Sequence, residues 1–231
     1  MINLPIEFKQ LAQVFKDHGY NAYLIGGSSR DCLLNKEFKD FDVATNATPE
    51  EVISMFEDVF DHFKQYGSVR VTYKGTKFDV TTFRKETKYT DHRHPGVVEY
   101  TTDIKEDYYR RDFTINAIYI DMDGNIYDFG SGSMDLQYNL IRMIGDPNKR
   151  LKEDPLRILR AIRFSLVLDF EVEESLQFAL KRNAYLIQEL NEGKIKEEIA
   201  KMKKAGIPEV YIKGELSKYH VVLPFKLAPS R

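Results

Sequence analysis

Residues 24–45, LIGGSSRDCLLNKEFKDFDVAT, constrain this chain more tightly than any other stretch. The apolar run Tyr23-Leu24-Ile25 ends in Gly26-Gly27, which predicts a strand followed by a sharp turn that lets the backbone approach a ligand. A short helix beginning near Ser28 comes next, then a second strand over residues 38–44 that carries Asp40 and Asp42. Two carboxylates two residues apart on a strand project from one face. The free N–H groups at the start of the helix point back toward the turn and make an anion site. A phosphate cradle beside two same-face carboxylates is what metal-assisted nucleotidyl transfer requires, with Mg²⁺ held by shared oxygen ligands. Either half alone is commonplace, because paired glycines end many strands and Asp-x-Asp is often a solvated edge. The specificity lies in the combination: GG-x-x-R-D, then D-x-D-x-x-T.

That combination resembles the head of the class II CCA-adding tRNA nucleotidyltransferase and bacterial poly(A) polymerase family, within the polymerase-β-like nucleotidyltransferase superfamily. The resemblance implies an α+β fold with a mixed-sheet nucleotidyltransferase head, followed by an α-helical neck. It also implies roles for Gly26, Gly27, Ser28 and Arg30 in holding or positioning a triphosphate. One departure is local: Ser29 stands where Val is usual.

The rest of the chain follows in order. Residues 5–18 predict an amphipathic helix with Phe8, Leu11 and Phe15 on one stripe. Thr48-Pro49-Glu50-Glu51 reads as a helix start, with Val52, Phe56 and Val59 as its buried stripe. Residues 66–73 and 77–83 alternate as a hairpin, with Phe78, Val80 and Thr82 on one face and Asp79 and Thr81 on the other. One Asp in one strand is ordinarily solvent-facing. FDVTTFR, however, is similar to the family segment that supplies a third acidic residue, more commonly Glu, beside the catalytic pair. Residues 84–100 mix charges with Pro95 and Gly96 and read as a mobile loop. Asp91-His92-Arg93-His94 lacks zinc-ligand spacing and has no cysteine nearby. The segment instead resembles the family's flexible loop, whose presence favours a complete CCA or A activity.

Residues 113–121 read as a strand, paired through a turn at Asp123-Gly124-Asn125 with residues 126–129. Ahead of it, RRDFTINA matches the family motif that contacts the sugar and phosphates of the incoming nucleotide. Arg110 or Arg111 can fork onto phosphate oxygens, and Asp112 and Asn116 can bond to ribose hydroxyls. Residues 130–150 read as a Gly/Ser-rich connection, with a domain boundary near 140. In EDPLRILRAIRF, Asp154 and Pro155 start a helix that sets Asp154, Arg157 and Arg160 roughly along one face. An aspartate accepts from a base amino group while an arginine donates to a ring nitrogen or carbonyl, so the pair can read a base edge. The stretch resembles the family's template motif. By that resemblance Asp154 and Arg157 select CTP or ATP, Glu153 supports them, and Arg160 serves phosphate binding or helix positioning. Leu176, Leu180, Ala184 and Ile187 predict another helical stripe, and the helix over residues 195–204 carries the only concentrated lysine patch.

Composition bounds the rest. A single cysteine, Cys32, fits a reducing, cytoplasmic setting, and no segment resembles a signal peptide or a membrane span. The net charge of −2 gives no bulk support to RNA binding, so any RNA contact must come from a local patch. The expected reading is a Mg²⁺-dependent enzyme adding CMP and AMP from CTP and ATP to the 3′ end of the tRNA acceptor stem. Residues 1–140 form its head and 141–231 its neck, without the helical body and tail domains that family members normally carry. Asp40 and Asp42 hold the metals and Asp79 assists. The rivals are a poly(A) polymerase of the same family and a catalytically silent nucleotide- or RNA-binding remnant.

Overall fold

The computed structural model describes residues 2–89 and 95–227. The chain divides into two compact units, Met1–Lys88 with Gly96–Leu136, and Tyr89–Pro95 with Gln137–Arg231.

In the first unit, helix α1 (Ile6–Asp17) turns Phe8, Leu11 and Phe15 inward, as their spacing predicts. Strand β1 (Ala22–Leu24), helix α2 (Gly26–Leu33) and strand β2 (Phe41–Thr45) follow. Two predicted boundaries move. Helix α2 starts on the glycine pair itself, before Ser28, and Asp40 precedes β2 instead of lying within it. Helix α3 (Pro49–Met55) carries the reciprocal cap: the Glu51 N–H donates to the Thr48 hydroxyl at 3.3 Å, and the Thr48 N–H donates to the Glu51 carboxylate at 2.7 Å. Val52 is buried on this helix, whereas Val59 lies beyond its end, in edge strand β3 (Val59–Phe60). Strands β4 (Ser68–Tyr73) and β5 (Thr76–Thr82) form the predicted hairpin.

Residues 84–100 contain two strands, β6 (Arg84–Tyr89) and β7 (Pro95–Tyr100), which pair as a separate two-stranded sheet. For residues 84–89 and 95–100 strands replace the expected irregular backbone, because a polar ribbon shows no apolar alternation, and proline is tolerated at the first residue of a strand. The Asp91–His94 cluster lies outside the described residues. Helix α4 (Ile104–Arg110) is followed by a 3₁₀ turn, Thr114–Asn116, where a continuous strand was expected. The strand proper is β8 (Ile118–Ile120), in a hairpin with β9 (Ile126–Asp128), and helix α5 (Gly132–Gln137) comes next.

Strand order in the main sheet is β3-β4-β5-β2-β1-β8-β9, with β2 and β5 parallel and the other neighbours antiparallel. Register sets Val69, Val80 and Val43 in one row and Val71, Phe78 and Phe41 in the next. Both rows are buried in one cluster with Phe8, Leu11, Phe15 and Val52. Each such fully buried side chain stabilises the fold by about 1.5–3 kcal/mol. Because strand side chains alternate, the intervening row, Arg70, Asp79 and Asp42, faces the other way. The hydrophobic pattern thus places the acidic residues.

The second unit contains β10 (Leu140–Ile141), α6 (Pro147–Glu153), α7 (Leu156–Leu168), β11 (Glu171–Val172), α8 (Glu174–Asn183), α9 (Glu192–Lys204) and α10 (Glu209–Lys218). Strands β10 and β11 pair in parallel. The connection expected over residues 130–150 instead contains α5, β10 and α6. Helix α6 has the start signature seen at α3: the Asp146 carboxylate accepts from the Asn148 N–H at 2.9 Å, with Pro147 at the first position. Leu176, Leu180, Ala184 and Ile187 are buried as predicted, although their stripe crosses from α8 into a 3₁₀ segment. Helices α7 and α9 pack together, and the Arg163 Nε donates across to the buried Glu198 carboxylate at 2.7 Å. Among the described residues no helix is long and apolar enough to cross a membrane.

Candidate active site

The glycine pair and Asp42 are built around each other. Gly26 adopts φ +68°, and a Cβ there would stand 2.7 Å from Asp42 Oδ2. The Gly27 N–H donates to that same oxygen at 3.2 Å. The anion at the N-terminus of α2 is therefore the chain's own carboxylate. Ser28 is buried, and its hydroxyl donates to the Asp40 carbonyl at 2.8 Å and accepts from the Asp42 N–H at 2.7 Å. Its side chain clamps the backbone between the two acidic residues. Gly26→Ala meets both the left-handed backbone and the carboxylate; it is expected to cost about 1–2 kcal/mol, read as a lower urea midpoint.

Asp42 is half-buried and Asp40 exposed. Burial pushes the Asp42 carboxyl above its ordinary value; the Gly27 N–H opposes this, the Asp79 and Asp40 carboxylates reinforce it, and Arg111 opposes it. A half-buried carboxylate crowded by like charge is suited to a cation. Asp79 lies opposite Asp42 on the parallel strand pair, and both of its oxygens accept from Arg70, at 2.7 and 2.9 Å.

The predicted phosphate-binding arginines, Arg110 and Arg111, hang on Asp107, which sequence reasoning missed. This carboxylate is 0% exposed. It accepts from Arg110 Nε at 2.7 Å, from Arg111 Nε and Nη2 at 3.0 and 2.8 Å, and from the Tyr119 hydroxyl at 2.7 Å. Burial alone would raise the Asp107 carboxyl, but the Arg111 and Arg110 guanidiniums and the Tyr119 hydroxyl outweigh it and hold it well below the usual carboxylate range. The signal was in the sequence: Asp107 stands three and four residues before the arginines, one helical turn. Arg30 is also engaged, through Nε and Nη2 to Asp31 at 2.8 and 2.9 Å and through Nη1 to the Asn116 side-chain oxygen at 2.8 Å. It orients Asn116. The Asp112 carboxylate accepts from the Phe113 N–H at 2.8 Å.

In the second unit, Pro155 takes the N-cap position of α7 expected for Asp154, whose carboxylate, one residue earlier, accepts from the Leu156 N–H at 3.0 Å. Arg157 is buried, donating through Nη1 to the Arg150 carbonyl at 2.7 Å and lying 3.6 Å from the Glu153 carboxylate. Glu153 also accepts from Arg150 at 2.8 Å, so its carboxylate is shared between Arg150 and Arg157. Arg160 lies one turn further along α7. Of the lysine patch on α9, Lys194, Lys196, Lys201 and Lys203 all pair with glutamates at 2.6–2.9 Å. This tempers the case for RNA contact there.

Residues 22–142, just over half of the chain, match the family described as "Poly A polymerase head domain". The chain belongs to that family. The poly A polymerase head match ends close to where the second unit begins. The chain is 42% identical over 194 residues to the CCA-adding enzyme of Staphylococcus haemolyticus, covering 84% of this chain and 48% of that one. The Bacillus stearothermophilus CCA-adding enzyme in complex with CTP superposes with a TM-score of 0.79 at 36% identity, covering 85% of this chain and 47% of the other. The Thermotoga maritima CCA-adding enzyme complexed with tRNA_CCA gives 0.73 at 26% identity, over 93% of this chain and 50% of that one. The chain spans about half the length of the curated relatives it matches.

Proposed function

We propose that this chain carries the catalytic part of a CCA-adding tRNA nucleotidyltransferase, with residues 1–140 as its head and 141–231 as its neck. The reaction joins the 3′-hydroxyl oxygen of tRNA to the α-phosphorus of CTP or ATP, releasing pyrophosphate and one proton. One observation carries this reading: the half-buried Asp42 carboxylate is held against the Gly26-Gly27 turn, with its strand clamped by Ser28. The similarity to proteins named CCA-adding enzymes supports it.

Asp40 and Asp42 would hold Mg²⁺. The donors fit: they are hard oxygens, and the like-charge crowding of Asp42 is what a cation relieves. Among the described residues no three His, Cys, Asp or Glu side chains are grouped to hold a metal alone. That also suits Mg²⁺, which binds through one or two carboxylates plus substrate phosphates. When bound, the ion supplies charge stabilisation at the phosphates and an activated hydroxyl. The protein groups do the placing. Arg110 and Arg111, aimed by Asp107, offer guanidinium edges to phosphate oxygens, and Asn116, oriented by Arg30, offers an amide to a ribose hydroxyl. Gly26 and Gly27 leave room for the Asp42 carboxylate at the start of α2, and Asp79 stands beside the pair in the grip of Arg70. Asp154 and Arg157 read the base, with Glu153 and Arg160 in support. A cytoplasmic location follows from those substrates.

The family match itself favours a second reading, poly(A) polymerase. ATP alone separates the two. With tRNA ending in CC, the CCA reading predicts one added A and then arrest, resolved on a sequencing gel. Long A tails would establish the polymerase instead.

A further inference from the structure

Asp79 belongs to the predicted acidic set, yet its carboxylate is already occupied. Arg70 donates Nε to one oxygen at 2.7 Å and Nη2 to the other at 2.9 Å, a fork that takes both. Register makes this more than a chance surface pair. Arg70 lies directly across β4 and β5 from Asp79, and Asp79 directly across β5 and β2 from Asp42. The three side chains therefore form one row on one face of the sheet. The Arg70 and Asp79 side chains are 52% and 42% exposed, so their pairing adds little to stability. A bidentate clamp that does little for the fold, in the row that holds the acidic site, calls for another role.

We propose that Arg70 sets how many carboxylates this site offers to a divalent cation. By clamping Asp79 it withholds a third ligand and neutralises that charge, leaving Asp40 and Asp42 as the protein's share of the coordination. The inference rests on the reading of Asp40 and Asp42 as the metal-holding pair. Releasing Asp79 would place one more uncompensated negative charge beside Asp42 and strengthen cation binding. Arg70 is thus a positioning residue.

The test is Mn²⁺ binding to the whole chain without nucleotide, followed by the electron paramagnetic resonance signal of the free ion. Arg70→Thr suits an exposed strand position, and circular dichroism verifies that each variant is folded. Arg70→Thr is expected to bind Mn²⁺ about fivefold more tightly. Asp79→Asn, which leaves the guanidinium unopposed, should bind more weakly, and the double variant should return to within about twofold of the unaltered chain. Unchanged or weakened binding in Arg70→Thr overturns the proposal. Mn²⁺ binding that survives Asp42→Asn in the unaltered background would sink the metal-site reading itself, a separate result.

Discussion

Asp42→Asn is expected to slow pyrophosphate release from CTP by about 10³-fold or more, equivalent to about 4 kcal/mol of transition-state stabilisation, while the chain stays folded. Asparagine keeps the oxygen that accepts from Gly27 but loses the charge that holds a cation. The same substitution should raise the melting temperature at neutral pH. The Asp42 carboxyl is raised in the folded chain by burial and by its acidic neighbours. Its contribution to stability is therefore fully present below the ordinary carboxylate value of 3.8 and is lost as the pH rises through the raised folded value. The variant's advantage should be seen at pH 7 and vanish in acid. Added Mg²⁺ should raise the melting temperature of the unaltered chain more than that of the variant. Full activity in Asp42→Asn would remove the carboxylate from the mechanism.

Asp107→Ala is expected to be the most damaging single change to the fold, costing about 3–5 kcal/mol, because it leaves two largely buried guanidiniums without their shared counter-charge. Urea denaturation measures the loss. The direction of the pH effect is opposite to that at Asp42. Burial pushes the Asp107 carboxyl up, but the arginines hold it lower still, so its stabilisation is present above the ordinary value of 3.8 and lost as the pH falls through the depressed one. The unaltered chain should thus lose stability steeply in acid, and the variant should lack that limb. Asp107→Asn, which keeps the shape without the charge, should fall between them. A loss below about 1 kcal/mol in the alanine variant would mean that the network is ornamental.

Much of this architecture is legible in the sequence, because buried alternation and helix caps are local signals. The Thr48–Glu51 cap, the hairpin of residues 68–82 and the α1 stripe all appear where the pattern puts them. Local reading failed where long-range contacts outweigh it. Thr114 and Ile115 are strand-like residues, yet Thr114–Asn116 forms a 3₁₀ turn, placing Asn116 against Arg30, 86 residues away. No propensity encodes that bond. The Arg84–Tyr89 and Pro95–Tyr100 ribbon went unread because its pairing is backbone to backbone, without an apolar face in the sequence. At the site, residue types and spacings pointed to Asp42 and the arginines. What stayed hidden was second in line: Asp107 behind the arginines, Ser28 behind Asp42 and Arg70 behind Asp79. Ser28 is expected at a triphosphate but clamps the backbone between Asp40 and Asp42, and the one-turn spacing that ties Asp107 to the arginines does not announce its burial.

A tRNA transcript lacking its terminal CCA, incubated with this chain, CTP, ATP and Mg²⁺ and sequenced at its 3′ end, tests the central claim most directly. The account predicts that C, C and A are added in order, that addition then stops, and that a chelator abolishes it. Nucleotide binding without any incorporation, at saturating tRNA and Mg²⁺, would contradict it.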